Sequence, residues 1–507
     1  MSATVRPRAA ARELSEALAR VSVEAVGDLS VAVTGITHDS REVRPGDVYA
    51  ALPGFTAHGA DFVGQALAAG AAAVITDGAG AVRMGPANVP VLVAADPREA
   101  AGLMAAWVYG DPADDLLTIG ITGTNGKTTT SYLVDAGLRA AGHHTGVVGT
   151  IGTRLGDEVL ATARTTPEAT DLHATLAVMR ERGITAVTME VSSHALVLHR
   201  VEGIVFDVAG FTNLSRDHLD FHGSMEQYFE AKAGLFTPLR ARRGVVTIDD
   251  EWGQRLSDRA QVQTTSLATE GDLADWQVMS VSRVGDGRSV IELRQPDGSL
   301  AVIESVLPGR FNVANLALAH ALLRSAGVSA DDSVTGLASA RGIPGRMERV
   351  YGPDDAVAVY VDYAHTPDAI DRVIATAREF TEGRVIVVVG AGGDRDREKR
   401  PHMGRAACAA DVLVVTDDNP RSESPAAIRA EVLSGVPASP TCRVVERGDR
   451  RDAIALALED AAAGDCVLIL GKGHETGQEV AGLKSHFDDR EVAADLLRAL
   501  AARGAAQ

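Results

Sequence analysis

Apolar residues in this chain come in short, dense runs set between glycine-containing turns and stretches of mixed character. The run Leu116, Leu117, Ile119, Ile121 predicts a buried strand, Gly123-Thr124-Asn125-Gly126 a turn, and the residues from Lys127 onward a helix. Runs at 184–190, 205–212 and 244–248 alternate with helical stretches, as in a parallel sheet with helices on both faces. The pattern then changes. Runs at 277–284, 289–294 and 300–306 are separated by Gly285-Asp286-Gly287 and Pro296-Asp297-Gly298, which predict hairpin turns and a small appended antiparallel meander. Before this region, strands at 47–52, 73–76 and 89–94 with a helix at 61–69 predict a small α/β module, followed by a linker at Asp111-Pro112-Ala113-Asp114-Asp115. After it, 357–363, 384–390, 412–416 and 466–471 read as buried strands alternating with helices. The expectation is an α/β chain of three domains, 1–110, 111–345 and 346–507, since 507 residues exceed what one core holds.

Strand, glycine turn, Lys-Thr, helix is the layout of a phosphate-binding loop. Backbone N–H groups and a helix N-terminus converge on an anion, Lys127 adds a point charge, and the Thr128 hydroxyl can reach magnesium. The loop is a shortened variant, with Ile121 where the general pattern has its first glycine. Glu190 ends one predicted strand, and Asn213-Leu214-Ser215-Arg216-Asp217-His218 follows the next. A carboxylate and an imidazole at neighbouring strand ends could hold magnesium beside that loop; singly, Glu190 reads as a helix cap and His218 as a turn residue. In the last domain all four predicted strands end in polar clusters: Asp362-Tyr363-Ala364-His365-Thr366-Pro367, Gly392-Gly393-Asp394-Arg395-Asp396-Arg397, Asp417-Asp418-Asn419-Pro420-Arg421 and Gly471-Lys472-Gly473-His474-Glu475. Ligands of such sheets bind at the carboxyl ends of strands, so four clusters at one edge point to a site. Two polar turns in the first domain, around Ser40 and around Phe55-Thr56-Ala57, are further ligand candidates or ordinary surface turns.

Composition narrows the partners. The content is 46% hydrophobic and 23% charged, as in soluble globular proteins, and the net charge of −19 disfavours a nucleic-acid backbone or an anionic membrane. Anionic substrates remain open, since they need only a local basic pocket. The three cysteines lack metal-ligand spacing and are expected to be structural thiols in a reducing cytoplasm. No apolar run reaches the roughly 18 residues of a membrane span. The Arg- and Ala-rich start reads as a frayed tail leading into a short helix, not a signal peptide.

The segments Gly123-Thr124-Asn125-Gly126-Lys127-Thr128-Thr129, Glu190-Val191-Ser192-Ser193-His194, Asn213 through His218, Gly309-Arg310-Phe311-Asn312, Gly345-Arg346-Met347-Glu348 and Asp362 through Pro367 occur in an order and spacing that resembles the Mur ligases, the ATP-dependent amino-acid-adding enzymes of peptidoglycan synthesis. The resemblance covers nearly the whole chain. It implies a UDP-substrate-binding first domain, a central phosphate-loop ATPase-like domain, and a Rossmann-like, amino-acid-binding third domain. It is strongest to the members that add the third amino acid. Asp418-Asn419-Pro420-Arg421 resembles the version that adds meso-diaminopimelate, since lysine-adding relatives lack the arginine.

The implied reaction is cytoplasmic. ATP phosphorylates a carboxylate of UDP-N-acetylmuramoyl-L-alanyl-D-glutamate, and an amine of diaminopimelate attacks the acyl phosphate, giving an amide, ADP and phosphate. ATP and Mg²⁺ are the implied cofactors. By resemblance Gly123, Thr124, Asn125, Gly126, Lys127, Thr128 and Thr129 hold the phosphates, Asn312 meets adenine, and Arg346 and Asp362 reach the nucleotide, with His365 nearby. Thr128 and Glu190 hold one magnesium and His218 a second, beside Lys232, whose carbamylation would turn a cation into an anionic ligand. Lys127, His218, Lys232 and His365 are thus the implied catalytic residues. Ser40, Phe55, Thr56 and Ala57 match uridine-diphosphate contacts; Thr165, Thr166, Ser192 and Arg200 match muramoyl-dipeptide contacts. Leu198 departs from relatives that carry glutamine there. For the amino acid, Arg421 would grip the distal carboxylate and Arg395 the other one, Asn419 would add hydrogen bonds, Pro420 would stiffen the turn after Asp418, and Glu475 with the Gly471 carbonyl would take the distal ammonium. The implied protein is a monomer without nucleic-acid partner or membrane insertion, and its domains close over ATP.

Three alternatives compete. A folylpolyglutamate synthase shares the GTNGK-type loop but continues with Gly-Ser where this chain has Thr128-Thr129, and it lacks the 418–421 tetrad. A lysine-adding Mur ligase would differ at Arg421. A nucleotide-binding scaffold without catalysis would be expected to have lost the lysine or the metal ligands, all of which are present here.

Overall fold

The computed structural model describes residues 6–54, 56–160, 162, 164–271, 273–283, 288–340, 342–353 and 357–505. The chain divides into two compact units. One comprises Met1–Ser282, Val290–Glu304 and Val313–Ser339; the other comprises Arg283–Ser289, Ser305–Asn312 and Ala340–Gln507.

The first unit carries two large sheets and a two-stranded one. A five-stranded sheet runs in the order Glu24–Val26, Val91–Val93, Ala73–Thr76, Asp47–Ala50, Gly35–Thr37, parallel except for its first strand. Asp47–Ala50 and Ala73–Thr76 are buried at every position, as an inner parallel strand must be. Helix Pro97–Val108 packs on this sheet through Met104 and Trp107 and is capped by the Asp96 carboxylate. The helix expected near the start forms instead as a short strand, Arg12–Glu13, and a 3-10 helix, Leu14–Ala19. The strand pairs with Ala32–Val33. The expected linker contains a turn of 3-10 helix, Pro112–Asp115.

The second sheet has eleven strands. Its parallel heart places Leu117–Thr122 between Ala186–Glu190 and Val208–Phe211, flanked by Thr145–Gly149 on one side and Arg243–Thr247 and Gln263–Ala268 on the other. The predicted meander is not a separate appendage. Trp276–Arg283 pairs in parallel with Gln263–Ala268, so it and the strands Ser289–Arg294 and Leu300–Ser305 extend the same sheet. Of the two predicted turns, Pro296-Asp297-Gly298 forms, with Gly298 at a φ of 82°, while Gly285-Asp286-Gly287 lies outside the described residues.

The second unit is a six-stranded sheet ordered Glu348–Val350, Ala358–Asp362, Cys466–Leu470, Val385–Val389, Val412–Val415, Arg443–Glu446, parallel except at its first strand. Alternate residues of one run feed opposite cores. Val385, Val387 and Val389 meet helices Pro367–Phe380 and Lys399–Ala407, while Ile386 and Val388 meet Arg450–Asp460 and Asp489–Ala505. That explains an unbroken apolar run where alternation would expose one face.

The cysteines correct an expectation. Cys408 and Cys442 form a disulfide with Cα atoms 5.6 Å apart, and Cys466 is the buried free thiol. Cys408 ends helix Lys399–Ala407 and Cys442 precedes Arg443–Glu446, so packing of that helix on the sheet brings together residues 34 apart. No helix among the described residues is long and apolar enough to cross a membrane.

Candidate active site

At the heart of the eleven-stranded sheet three strands end side by side, with Glu190 opposite Ile121 and Phe211 opposite Thr122. The chain leaves the middle strand on one side and returns on the other, so all three following loops open at one edge, where such sheets bind ligands. The loop after Thr122 closes tightly on its neighbour. The Thr124 N–H donates to the Asn213 carbonyl (2.9 Å) and the Asn125 N–H to the Asn213 side chain (3.1 Å). Gly126 takes a φ of 86°, and a Cβ there would stand 2.4 Å from Asn315 Oδ1, so both conformation and space require glycine. Helix Lys127–Ala140 begins at once, with Thr128 and Thr129 buried in its first turn. Lys127 Nζ folds back onto the carbonyls of Gly123 (2.9 Å) and Thr124 (2.8 Å).

Glu190 joins the two sides of this edge. Its carboxylate accepts the Thr128 hydroxyl (2.9 Å), the Thr150 N–H (2.8 Å) and the Thr150 hydroxyl (3.0 Å). Its backbone carbonyl accepts the Thr166 hydroxyl at 2.8 Å. Thr166 also receives the Ser192 N–H, and Thr165 lies 3.1 Å from Thr150 through the hydroxyls. Thr150 escaped the sequence reading. It follows the strand Thr145–Gly149, and only that strand's place beside Ala186–Glu190 reveals its role. A hydroxyl and a carboxylate, both hard oxygens, are a donor set suited to magnesium. Among the described residues no three His, Cys, Asp or Glu side chains gather into a metal cage.

Lys232, on helix Met225–Ala233, is 1% exposed; its amine donates to the Gly123 carbonyl (2.7 Å) and lies 4.6 Å from the Tyr228 ring centre. Burial and the nearby Lys127 push its pKa well below the ordinary lysine value. His218 caps the short helix Leu219–His222 with a φ of 52°; burial, Lys127 and Lys232 push its pKa down. Lys127, His218 and Lys232 are therefore brought together, while Thr128 and Glu190 form a separate pair. His194, stacked on Phe221 and edge-on to His218, and His222, bonded to Ser193, complete an aromatic wall that sequence reasoning left out.

Arg200 reaches this edge through Glu168. Its guanidinium donates to the Glu168 carboxylate (3.1 Å) and to the Thr166 carbonyl (3.4 Å), and Arg98 grips the other Glu168 oxygen at 2.9 Å. Burial opposes ionisation of Glu168, but Arg200 and Arg98 outweigh it and hold its carboxyl below the ordinary value. Arg98 also donates to the Pro53 carbonyl, tying in the turn that carries Thr56 and Ala57; Phe55 lies outside the described residues. Leu52, Arg98, Glu168, Leu198 and His199 line a small, open cleft there. Ser40 is buried, its hydroxyl donating to Gln65 at 3.0 Å.

In the second unit the four polar clusters do share one edge, since their strands are parallel neighbours. Asp362 accepts the N–H groups of Met347 and Ala364, both at 2.7 Å, and the Arg346 guanidinium lies 4.7 Å from the Tyr363 ring centre. His365 meets the Tyr363 carbonyl at 2.8 Å. Asn312 also belongs to this unit, its amide donating to the Pro308 carbonyl (2.8 Å). The Asn419 amide donates to Glu475 (2.8 Å), the Arg421 guanidinium to the Gly393 carbonyl (2.6 Å), and Arg395 to the Asp394 carbonyl (3.0 Å). Beneath Asp418, Asn419, Gly471 and Glu475 lies Lys472, fully buried and also missed in the sequence. Arg400, fully buried too, grips Glu423 and Glu431, and Glu423 in turn holds the Asp394 N–H.

Comparison with known proteins defines the class. Three family models match in sequence: Mur ligase family, catalytic domain, over residues 32–109; Mur ligase middle domain over 121–323; and Mur ligase, glutamate ligase domain over 345–473. The chain belongs to the Mur ligase family. Among its relatives, it is 52% identical to the UDP-N-acetylmuramoyl-L-alanyl-D-glutamate--2,6-diaminopimelate ligase of Streptomyces coelicolor, over 97% of both chains. It is 48% identical to the enzyme of the same name from Corynebacterium glutamicum, over 93% of this chain and 92% of that one. A solved diaminopimelate ligase structure of that name is 33% identical with a TM-score of 0.69, covering 97% of this chain and all (100%) of the other. A Mycobacterium tuberculosis folylpolyglutamate synthase, 21% identical with a TM-score of 0.57 over 74% of this chain and 92% of that one, shares the fold.

Proposed function

We infer that this protein is an ATP-dependent ligase that joins meso-diaminopimelate to UDP-N-acetylmuramoyl-L-alanyl-D-glutamate in peptidoglycan precursor synthesis. Relatives near 50% identity carry that activity in their names. The observation that carries the mechanism is the double role of Glu190. Through its carboxylate it holds Thr128 of the phosphate loop, and through its carbonyl it holds Thr166, beside Ser192, on the dipeptide side. A γ-phosphate over the loop and a substrate carboxylate near Thr166 and Arg200 would meet across this residue, as phosphorylation of that carboxylate requires.

The residues divide the work. Gly123, Thr124, Asn125, Gly126 and Thr129 shape the loop that faces the phosphates. Lys127 leaves the Gly123 and Thr124 carbonyls for the β- and γ-phosphates and opposes charge on the transferring group. Thr128 and Glu190 would hold magnesium, which supplies charge neutralisation when bound. Burial and Lys127 push the Lys232 pKa well below the ordinary lysine value, toward the neutral amine that carbon dioxide requires; the carbamate would remove the repulsion with Lys127 and place an anion beside His218. Arg346, Asp362, His365 and Asn312 serve the nucleotide. Ser40, Phe55, Thr56 and Ala57 serve the uridine diphosphate. Arg395, Asp418, Asn419, Pro420, Arg421, Gly471 and Glu475 select the incoming amino acid, whose amine attacks the acyl phosphate and releases phosphate. We keep the division 1–110, 111–345 and 346–507, a monomer and a cytoplasmic location as parts of this reading; three successive family models support the division.

The deciding experiment is phosphate release from ATP with the UDP-linked dipeptide and a panel of amines. Diaminopimelate alone should support turnover. Comparable turnover with L-lysine would point to the lysine-adding reaction, and turnover with a folate and glutamate would overturn the assignment.

A further inference from the structure

The loop after Cys466–Leu470 carries a lysine that the proposed function does not use. Lys472 is completely buried, and its ammonium sits among four oxygens: the Gly477 carbonyl at 2.6 Å, Asn419 Oδ1 at 3.4 Å, Asp418 Oδ1 at 3.5 Å and Glu475 Oε2 at 3.6 Å. Three of these belong to residues assigned above to the amino acid. Another fully buried cation, Arg450, is already committed, since its guanidinium donates to both Asp489 oxygens (2.7 and 2.6 Å) and to the Leu470 carbonyl. Lys472 is thus the cation set between Asp418 and Glu475. Two carboxylates against one ammonium leave one negative charge, the complement of a substrate ammonium. Burying two carboxylates together without that cation would drive one of them to take a proton. Burial and Asp418 already raise the Glu475 pKa, and Lys472 and Asn419 oppose that.

We propose that Lys472 is the positioning residue of the amino-acid site, holding Asp418, Asn419 and Glu475 in the charge state and geometry that receive the second ammonium of a diamino acid. The proposal rests on the diaminopimelate reading above. It makes Lys472 a determinant of specificity that acts through Glu475 without touching substrate.

The test compares diaminopimelate with 2-aminopimelate, which keeps both carboxylates and one amine but lacks the second amine. In the unmodified enzyme kcat/KM should favour diaminopimelate strongly. In Lys472→Met that preference should fall at least about tenfold, with the KM for ATP within about twofold. An unchanged preference, or equal losses for both amino acids and ATP, would mean a merely structural lysine and overturn the proposal. If the unmodified enzyme itself showed no preference for diaminopimelate, the functional reading would be at fault instead. Should Lys472→Met not fold, the unmutated protein still decides. The ¹³C carboxyl resonance of Glu475, assigned with Glu475→Gln, should be that of a carboxylate at pH 7 and should move on adding diaminopimelate. A protonated Glu475 at pH 7 overturns the proposal.

Discussion

Arg421 takes a φ of 53°, in the left-handed region that costs a residue with a Cβ about 1–2 kcal/mol. It is held there from three sides: its N–H donates to the Glu479 carbonyl (3.0 Å), its carbonyl accepts the Ala481 N–H (2.7 Å), and its guanidinium donates to Gly393. Asparagine fits this backbone with less strain, so the arginine is kept at a cost. Arg421→Asn should therefore retain or raise the melting temperature while raising the KM for diaminopimelate about a hundredfold and leaving the KM for ATP unchanged. Steady-state kinetics alongside thermal denaturation separate the two effects, and a variant that kept its choice of diaminopimelate over lysine would remove Arg421 from the site. Asp394 and His218 show the same left-handed backbone beside other candidate residues. Lys232 makes a different residue-level claim. If Lys232 acts as its carbamate, Lys232→Ala should lose most activity, and a short carboxylic acid should restore part of it by supplying the missing anion. Full activity without rescue would end the carbamate idea.

Two turns of the second unit press together backbone against backbone. Gly345 has a φ of 63°, and a Cβ there would stand 2.0 Å from the His474 nitrogen and 2.2 Å from the Gly473 carbonyl carbon. One turn carries Arg346 and the other runs from Gly471 to Glu475, so residues proposed for the nucleotide and for the amino acid share a close backbone contact. Gly345→Ala has no flexible side chain to displace. It should worsen the KM for both ATP and diaminopimelate, by about tenfold each, whereas Gly142→Ala, also left-handed but facing open space, should change neither. A change in only one constant would show that the turns move independently. The elements that carry these turns are legible in the sequence: a run such as Val385 through Val389, buried on both faces, leaves no polar position to mistake. The candidate phosphate loop is legible because order, glycine and lysine agree. What is illegible depends on neighbours distant in sequence. Thr150 matters only beside Glu190, Lys472 looks like a solvated turn lysine, and nothing local pairs Cys408 with Cys442. At the start of the chain a short helix does form, Leu14–Ala19, as 3-10; the strand before it, Arg12–Glu13, is too short to show a period.

For the whole molecule, the dependence of stability on pH follows from two opposing sets of groups. With a net charge of −19, mild acidification relieves self-repulsion and favours the folded state. Asp135, pushed up to about 6 by burial, acts in the same direction. Between its unfolded value near 3.8 and about 6 the folded state holds the extra proton, so that contribution grows as pH falls. Buried imidazoles act the other way. His320 is fully enclosed, between the Ser333 hydroxyl (2.9 Å) and Gln295 Oε1 (3.3 Å), and burial with Arg324 brings its pKa to about 4. His194 and His222 are also brought to about 4 by burial first, and His173 is lowered by burial. A histidine with a lowered folded pKa binds its proton in the unfolded state first. Its contribution is complete above about 6.5 and is lost as pH falls toward 4, at about 1.4 kcal/mol per pH unit for a fully buried ring such as His320. His218 is lowered too, so five such rings stand against Asp135, the other raised carboxyl groups (Asp47, Asp171, Asp249, Asp362, Asp371, Asp417 and Glu475) and the diffuse charge term. The ordinary value of histidine lies inside the window from pH 7 to pH 5 and that of a carboxylate below it, so the melting temperature should fall across this window. His320→Gln, which keeps a hydrogen-bonding group but cannot titrate, should make that fall measurably shallower, even if it lowers stability at pH 7. Calorimetry of both proteins across this range is the test. An equal slope in the two would show that His320 is protonated, or solvated, in the folded state, and that the acid sensitivity of this molecule lies elsewhere.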